Sequence, residues 1–521
     1  MALRAARIRH GAPRPGGSQG EARRGRDASM TGNAMESLCP GSRRGRWRAL
    51  LLGAAALWLG GCDTMASLNP FGRGGPGPGT PGFVRGFLGG IAADDPAAAL
   101  AGRNVLAAGG TAVDAAVAAG FTMAVTLPSR AGIGGGGACL VFNPARATVE
   151  AVVFPAGPRS GIAAGADRPA AVPMMARGLF ALHTRLPRRP FEELMAPAEQ
   201  AARFGTEVSR ALAEDLAAVA GPLLADPNAR AVFDRPDGQP RAAGEQLVQP
   251  ELASTLGALR TAGVGDLYQG GLARRLEEVS RAAGGGLALE ELRAGLPQLL
   301  APIVLPSRGG DRIAFLPPPA DGGLAAAAAF AALQSGQSPA EAEARALAVA
   351  AAWRQGAGDP QALLAAAQPP ASGMELLPAS AGLLVYDRDG AAVACAFSLN
   401  NLFGTGRMAP GMGFLMAAAP NTGTVRPPLL AAAIAYNGNL RAFRAAFAGA
   451  GQAAAPMAVA GPAALHLLRG VPPADALAAG VPPEGRGQLG ACLNYLPGTA
   501  GRCLTVTDPR GAGVALGTLD R

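Results

Sequence analysis

From residue 96 onward the hydrophobic positions fall into a readable order. Leu100, Val105 and Leu106 recur at helical spacing, Gly109-Gly110 ends that helix, and Thr111 is placed to cap a second one carrying Val113 and Val117. The run Gly134-Gly135-Gly136-Gly137 leads into an apolar strand over 138–142, and after a turn at Asn143-Pro144 a second strand covers 149–154. Such a glycine run lets the backbone pass close to a ligand or to another strand. Helical patterns dominate 174–295, interrupted by an Asp/Pro/Gly-rich loop over 226–244. A short strand over 313–316 ends in three prolines, an alanine-rich helix fills 323–333, and one or two more helices fill 339–367. Beyond a loop with Pro369, Pro370 and Gly373 the texture changes: 382–386, a turn at 387–390 and 391–399 predict a β-hairpin, and the C-terminal part is richer in strands. Helices and strands thus share one chain, an α+β pattern.

Composition narrows the chemistry. The chain has no lysine, so its 46 basic residues are all arginine. A Walker-type phosphate loop, a Schiff-base lysine and a Ser-Lys dyad are excluded. The pI near 10 suggests a nucleic-acid partner, but residues 1–61 hold eleven arginines against three acids, and the remainder holds 35 against 34. A nearly neutral body lacks the footprint for phosphate backbones, and no nucleic-acid partner is expected.

The basic leader has another explanation. Arg43, Arg44, Arg46 and Arg48 precede an apolar run over 49–59 that closes on Leu59-Gly60-Gly61-Cys62. The run is too short to span a membrane, which takes about 20 apolar residues, and has the form of a secretory signal. Its ending resembles a bacterial lipobox, which makes Cys62 the lipidated first residue of the mature protein. We therefore expect a leader and lipoprotein signal over 1–61, a flexible tether over 62–90, and a periplasmic body held to the cell envelope by its lipid.

Export permits disulfides. Cys139 and Cys395 lie in apolar runs and are expected to be buried thiols. Cys492 and Cys503 bracket a short Pro/Gly-containing loop, leaving either a bridge or two free thiols open. After the leader only His183 and His466 remain, too few for a zinc site or a Ser-His-Asp triad. No metal or cofactor is expected. One hydrolase class needs neither histidine, lysine nor metal: an internal peptide bond breaks, and the new N-terminal Thr, Ser or Cys uses its own α-amine, with an ordinary pKa of about 7.7–8.0, as base.

Several segments carry a more specific signal. Residues 106–117 (LAAGGTAVDAAV), Gly132-Ile133-Gly134-Gly135-Gly136-Gly137, Ala196-Pro197-Ala198, Gln249-Pro250-Glu251-Leu252-Ala253, Tyr268-Gln269-Gly270 and Pro317-Pro318-Pro319 with Gly322-Gly323 follow one another in the order and spacing of gamma-glutamyltransferases, which this chain resembles over roughly 92–450. The resemblance implies a four-layer αββα sandwich of the N-terminal nucleophile hydrolase type. It also implies a precursor that cuts itself into a large-subunit-like region, 91–379, and a small-subunit-like region, 380–521, forming a heterodimer within one intertwined fold.

The family's cleavage motif falls on 380–387, so the implied cut lies between Ala379 and Ser380, with Ser380 as nucleophile; the other reading of Ser380 is an ordinary loop serine before a strand. Ser398-Leu399-Asn400 with Phe403-Gly404-Thr405-Gly406 resembles the segment whose hydroxyl and amide orient the nucleophile and hold the acyl group, making Ser398 and Asn400 the corresponding residues. Gly451 and the Gln452 backbone N–H align with the oxyanion donors. The family's arginine clamp for the substrate carboxylate falls on Pro155, with Arg159 close by as a substitute. Its acid pair for the substrate amine falls within Ala417-Ala418-Ala419-Pro420-Asn421-Thr422, and its Ser-Ser pair on Pro427-Pro428. Two functions follow: a self-processing amidohydrolase or acyltransferase acting on small γ-glutamyl-type amides through Ser380, or a catalytically silent lipoprotein of the same fold serving as an envelope binding or structural module.

Overall fold

A computed structural model of the chain describes residues 87–157, 159–356, 358–366, 380–420, 422, 425–498 and 503–517. Its strands in chain order are β1 (Gly89–Ala93), β2 (Gly136–Asn143), β3 (Thr148–Phe154), β4 (Thr206–Glu207), β5 (Gln246–Leu247), β6 (Gln298–Leu300), β7 (Ile303–Pro306), β8 (Arg312–Phe315), β9 (Ser380–Asp387), β10 (Ala392–Ser398), β11 (Ala431–Asn437), β12 (Ala442–Ala450), β13 (Arg486–Leu496), β14 (Cys503–Thr507) and β15 (Val514–Gly517). One sheet runs β15-β1-β9-β10-β2-β3-β6 and a second runs β14-β13-β12-β11-β8-β7, while β4 and β5 pair by themselves. Both large sheets take strands from before and after residue 380: they interleave in the first, whereas in the second β8 and β7 form one edge beside β11. Gly89 and Gly90, assigned to the tether from sequence, already belong to β1.

Strand alternation sorts the core into three slabs. On β10, Val393, Cys395 and Phe397 face helices, whereas Ala392, Ala394 and Ala396 face the other sheet. The same alternation on β2 sends Cys139 and Val141 outward and Ala138, Leu140 and Phe142 inward, to meet Ala432, Ile434 and Tyr436 of β11. Helices such as Ala112–Thr126 cover the outer face of the first sheet, and Asp321–Gln334 and Ala455–Ala463 cover that of the second. The result is the expected αββα sandwich. The helix Ala112–Thr126 is buried along its whole length, which its near-uniform apolar sequence permits. It starts where expected: Thr111 Oγ1 accepts from Asp114 N and the Asp114 carboxylate accepts from Thr111 N.

The glycine run packs closely on neighbouring strands, one of the two readings open in the sequence: a Cβ on Gly135 would sit 2.5 Å from Ser398 O, and one on Gly136 would sit 2.2 Å from Phe154 O. Two expectations are corrected. The loop over 226–244 contains a helix, Pro227–Phe233, capped by Asp226 with proline at its first position. Cys139 and Cys395 are a disulfide rather than separate thiols, because the β2–β10 register sets them directly opposite each other. Cys492 and Cys503, opposed on β13 and β14, form a second bridge.

Asp387 closes the hairpin. Its carboxylate accepts from Ala112 N, Asp389 N and Ala391 N, and burial pushes its pKa up to about 6. A carboxyl raised in the folded state binds its proton more tightly there than in the unfolded chain, so its contribution to stability is fullest below about pH 4 and is lost as pH rises towards 6. The difference in unfolding free energy between the native protein and Asp387→Asn is therefore expected to shrink as pH rises from 4 to 6.5, measured by urea denaturation. A pH-independent difference would contradict this.

Candidate active site

Ser380 opens β9, and its hairpin partner in register is Ser398, the last residue of β10. Because β9 alternates, Ala381 and Leu383 face the helices, and Ser380 shares the inter-sheet face with Leu384 and Tyr386. There it meets the end of β12. Ser380 is fully buried, its Oγ donates to Gly451 O at 3.2 Å, and Gly451 N donates to Oγ at 3.1 Å. Gly451 has φ +123°, a conformation open to glycine and strained for other residues. Gln452 follows, buried, and its backbone N–H has no partner among the described residues. These residues directly precede the helix Ala455–Ala463, so their amides lie at the positive end of a helix dipole.

Asn400, two residues past the end of β10, supports this arrangement. It sits at φ +64°, its N donates to Ser398 Oγ at 2.8 Å, and its Nδ2 donates to Ala156 O and Ala418 O at 3.2 and 3.0 Å. One side chain thus ties the end of β10 to the segment after β3 and to the 417–419 stretch. Behind β9, the buried Asp94 carboxylate accepts from Gly382 N at 2.7 Å and from Gln488 Nε2 at 2.8 Å. Burial pushes the Asp94 pKa up against these two hydrogen bonds. Sequence reasoning missed Asp94 and Gln488; an acid between the apolar β1 and the helix that starts at Pro96 was the only trace of the former.

Two cavities adjoin these residues. A smaller one of about 200 Å³ is lined by Gly451, Asp94, Arg130, Asp215 and Arg486. A larger one of about 410 Å³ gathers Pro155, Asn400, Pro420, Pro427 and Pro428 with Trp353, Arg354 and Asp321. The positions that align with the family's substrate-binding residues are therefore neighbours in space, although proline has replaced most of the polar groups.

Arg159 does not serve as a substitute clamp. Its Nε and Nη2 hold Glu291, Nη1 donates to Ala170 O and Gly285 O, and Nη2 donates to Gly286 O, with the side chain only 3% exposed. All five N–H groups are committed, so binding a substrate carboxylate would require breaking a buried ion pair. Among the described residues no three His, Cys, Asp or Glu side chains gather as a metal ion requires. Ala379 and Cys62 lie outside the described residues.

A family model described as Gamma-glutamyltranspeptidase matches residues 98–369. The glutathione hydrolase proenzyme of Escherichia coli is 31% identical over 257 residues, covering 46% of this chain and 44% of that protein. That of Bacillus subtilis is 30% identical over 257 residues, covering 45% and 42%. The chain thus spans less than half the length of these curated relatives. In overall fold it is similar to a cephalosporin acylase from Bacillus halodurans, with a TM-score of 0.67 at 19% identity over 86% of this chain and 99% of that one. The family-model match stops short of Ser380, whereas the likeness in fold takes in most of the chain.

Proposed function

The chain belongs to the gamma-glutamyltranspeptidase family, and from that premise we propose that it is a self-processing amidohydrolase or acyltransferase whose nucleophile is Ser380. The observation that carries the reading is the hydrogen-bonded contact of Ser380 Oγ with Gly451 at the head of β9, with Ser398 opposite. Cleavage between residues 379 and 380 would free an α-amine on the residue that bears the hydroxyl. The amine takes the Oγ proton as Oγ bonds to the acyl carbon, and returns it to the nitrogen as the C–N bond breaks. Water or an amine then attacks the acyl-enzyme and releases Ser380. The Gln452 N–H, which has no partner among the described residues, would stabilise the oxyanion beside Gly451. Asn400 acts as a positioning residue through Ser398 Oγ.

The alternative of a silent envelope module draws on Pro155, Pro427 and Pro428, which stand where the family has polar groups. Ser380, Ser398, Asn400 and the Gly451 contact favour catalysis, with a donor other than a standard γ-glutamyl amide. In either case we place the protein in the periplasm, anchored through lipidated Cys62.

The catalytic reading is tested by mixing the protein with γ-glutamyl- and simple acyl-p-nitroanilides, quenching in acid and measuring mass. The fragment that begins at Ser380 is expected to gain the mass of one acyl group. An adduct mapped elsewhere, or none with any anilide, would count against Ser380.

A further inference from the structure

The larger cavity has an apolar wall and one charged corner. Pro155, Pro319, Trp353, Pro420, Pro428 and Leu430 supply the wall. In the corner, Arg354, the last residue of the helix Pro339–Arg354, holds Asp321 through Nε and Nη2 at 2.5 and 3.1 Å and donates from Nη2 to Pro427 O at 2.8 Å. These contacts occupy one edge of the guanidinium. Its Nη1 has no partner among the described residues, and the side chain is 25% exposed while Asp321 is 6% exposed. Asp321 begins the helix Asp321–Gln334, so its charge is shared with that helix's N-terminal amides as well as with Arg354.

We infer that Arg354 is the anion-binding group of the acyl cavity, and that the acyl donor is an amide of a dicarboxylic acid: an apolar chain with a distal carboxylate and no amine. The inference rests on the reading of Ser380 as nucleophile for the word "acyl", but its binding content stands apart from catalysis. Three observations combine. The β3 end, at Pro155, offers no cation. Among the described lining residues the one acid, Asp321, is already held by Arg354, and the 417–419 stretch is alanine, so none of them is free to pair with a substrate ammonium. Among the described lining residues Arg354 Nη1 is the one uncommitted charged donor. A carboxylate entering along the proline wall meets it with partial desolvation, which strengthens a charge-assisted hydrogen bond.

The test is equilibrium binding to the full chain by calorimetry, using three amides with the same neutral head: glutaramate, which carries the distal carboxylate, valeramide, which lacks it, and L-glutamine, which adds an amine. Glutaramate is expected to bind at least about tenfold more tightly than either. In the paired variant Asp321→Asn/Arg354→Gln, which removes both charges together, the preference of glutaramate over valeramide is expected to fall to near unity. Equal binding of glutaramate and valeramide to the native protein would overturn the inference, as would a preference that survives in the variant. Should the variant not fold, the native comparison decides alone. A glutaramate preference without any Ser380 acylation would leave Arg354 as the anion site and remove the catalytic reading.

Discussion

Ser380→Ala is expected to leave the chain uncut and to lower amide hydrolysis by at least about three orders of magnitude, since nucleophile and base sit on one residue. Removing the hydroxyl takes away the attacking atom in both self-cleavage and turnover. Without the cut there is also no free amine to accept the proton. Ser380→Thr is expected to retain both activities, because threonine keeps the hydroxyl and the freed amine and restricts χ1 further. Ser398→Ala is expected to fall between them: Ser398 Oγ accepts from Asn400 N, so its loss disturbs placement rather than the reacting atoms. Persistence of the cut in Ser380→Ala, shown by gel mobility, would mean that another residue performs it.

The second large effect concerns stability. Arg130 and Asp215 form a buried two-point ion pair, Nε–Oδ2 and Nη2–Oδ1 both at 2.7 Å, and Ser129 Oγ donates to the same carboxylate at 2.6 Å. Removing Asp215 alone strands a guanidinium that is about nine-tenths shielded from solvent. Asp215→Ala is expected to cost about 3–5 kcal/mol of unfolding free energy, whereas the double change Arg130→Met/Asp215→Leu is expected to cost far less, because no lone charge is left behind. Urea denaturation of the three proteins distinguishes the cases. Equal costs for the single and double variants would show that packing, rather than charge pairing, dominates there. Because Arg130 lines the cavity beside Gly451, Asp215→Ala should also depress activity in whatever fraction remains folded.

Local signals in the sequence translated well into structure. The hairpin of β9 and β10 was legible from two apolar runs around an Asp-Arg-Asp-Gly turn, and its register then forces Ser380 opposite Ser398. The cap at Thr111 was legible because both hydrogen bonds of the capping box link residues three apart. The helix Pro227–Phe233 was hidden by its composition, since Asp-Pro marks a helix start as well as a loop. The contacts that decide the site are long-range. Arg159 is consumed by Glu291, Asp94 meets Gln488 across 394 positions, and Cys139 meets Cys395 across 256. Nothing in a linear pattern marks such partners; they follow from sheet order, which places β1 beside β9 and β10 beside β2. The cation of the large cavity illustrates the point: motif alignment directs attention to position 155, while the folded chain supplies Arg354 from a helix that the motifs do not mark.

All of the proposed chemistry depends on an amine that exists only after the chain is cut. The decisive measurement is the intact mass of the purified protein under denaturing and reducing conditions, with N-terminal sequencing of whatever fragments appear. The expected result is a break between residues 379 and 380, giving a fragment of residues 380–521 that begins with Ser380. A single uncut chain from freshly purified, folded protein would contradict the account, because Ser380 would then have a hydroxyl but no base.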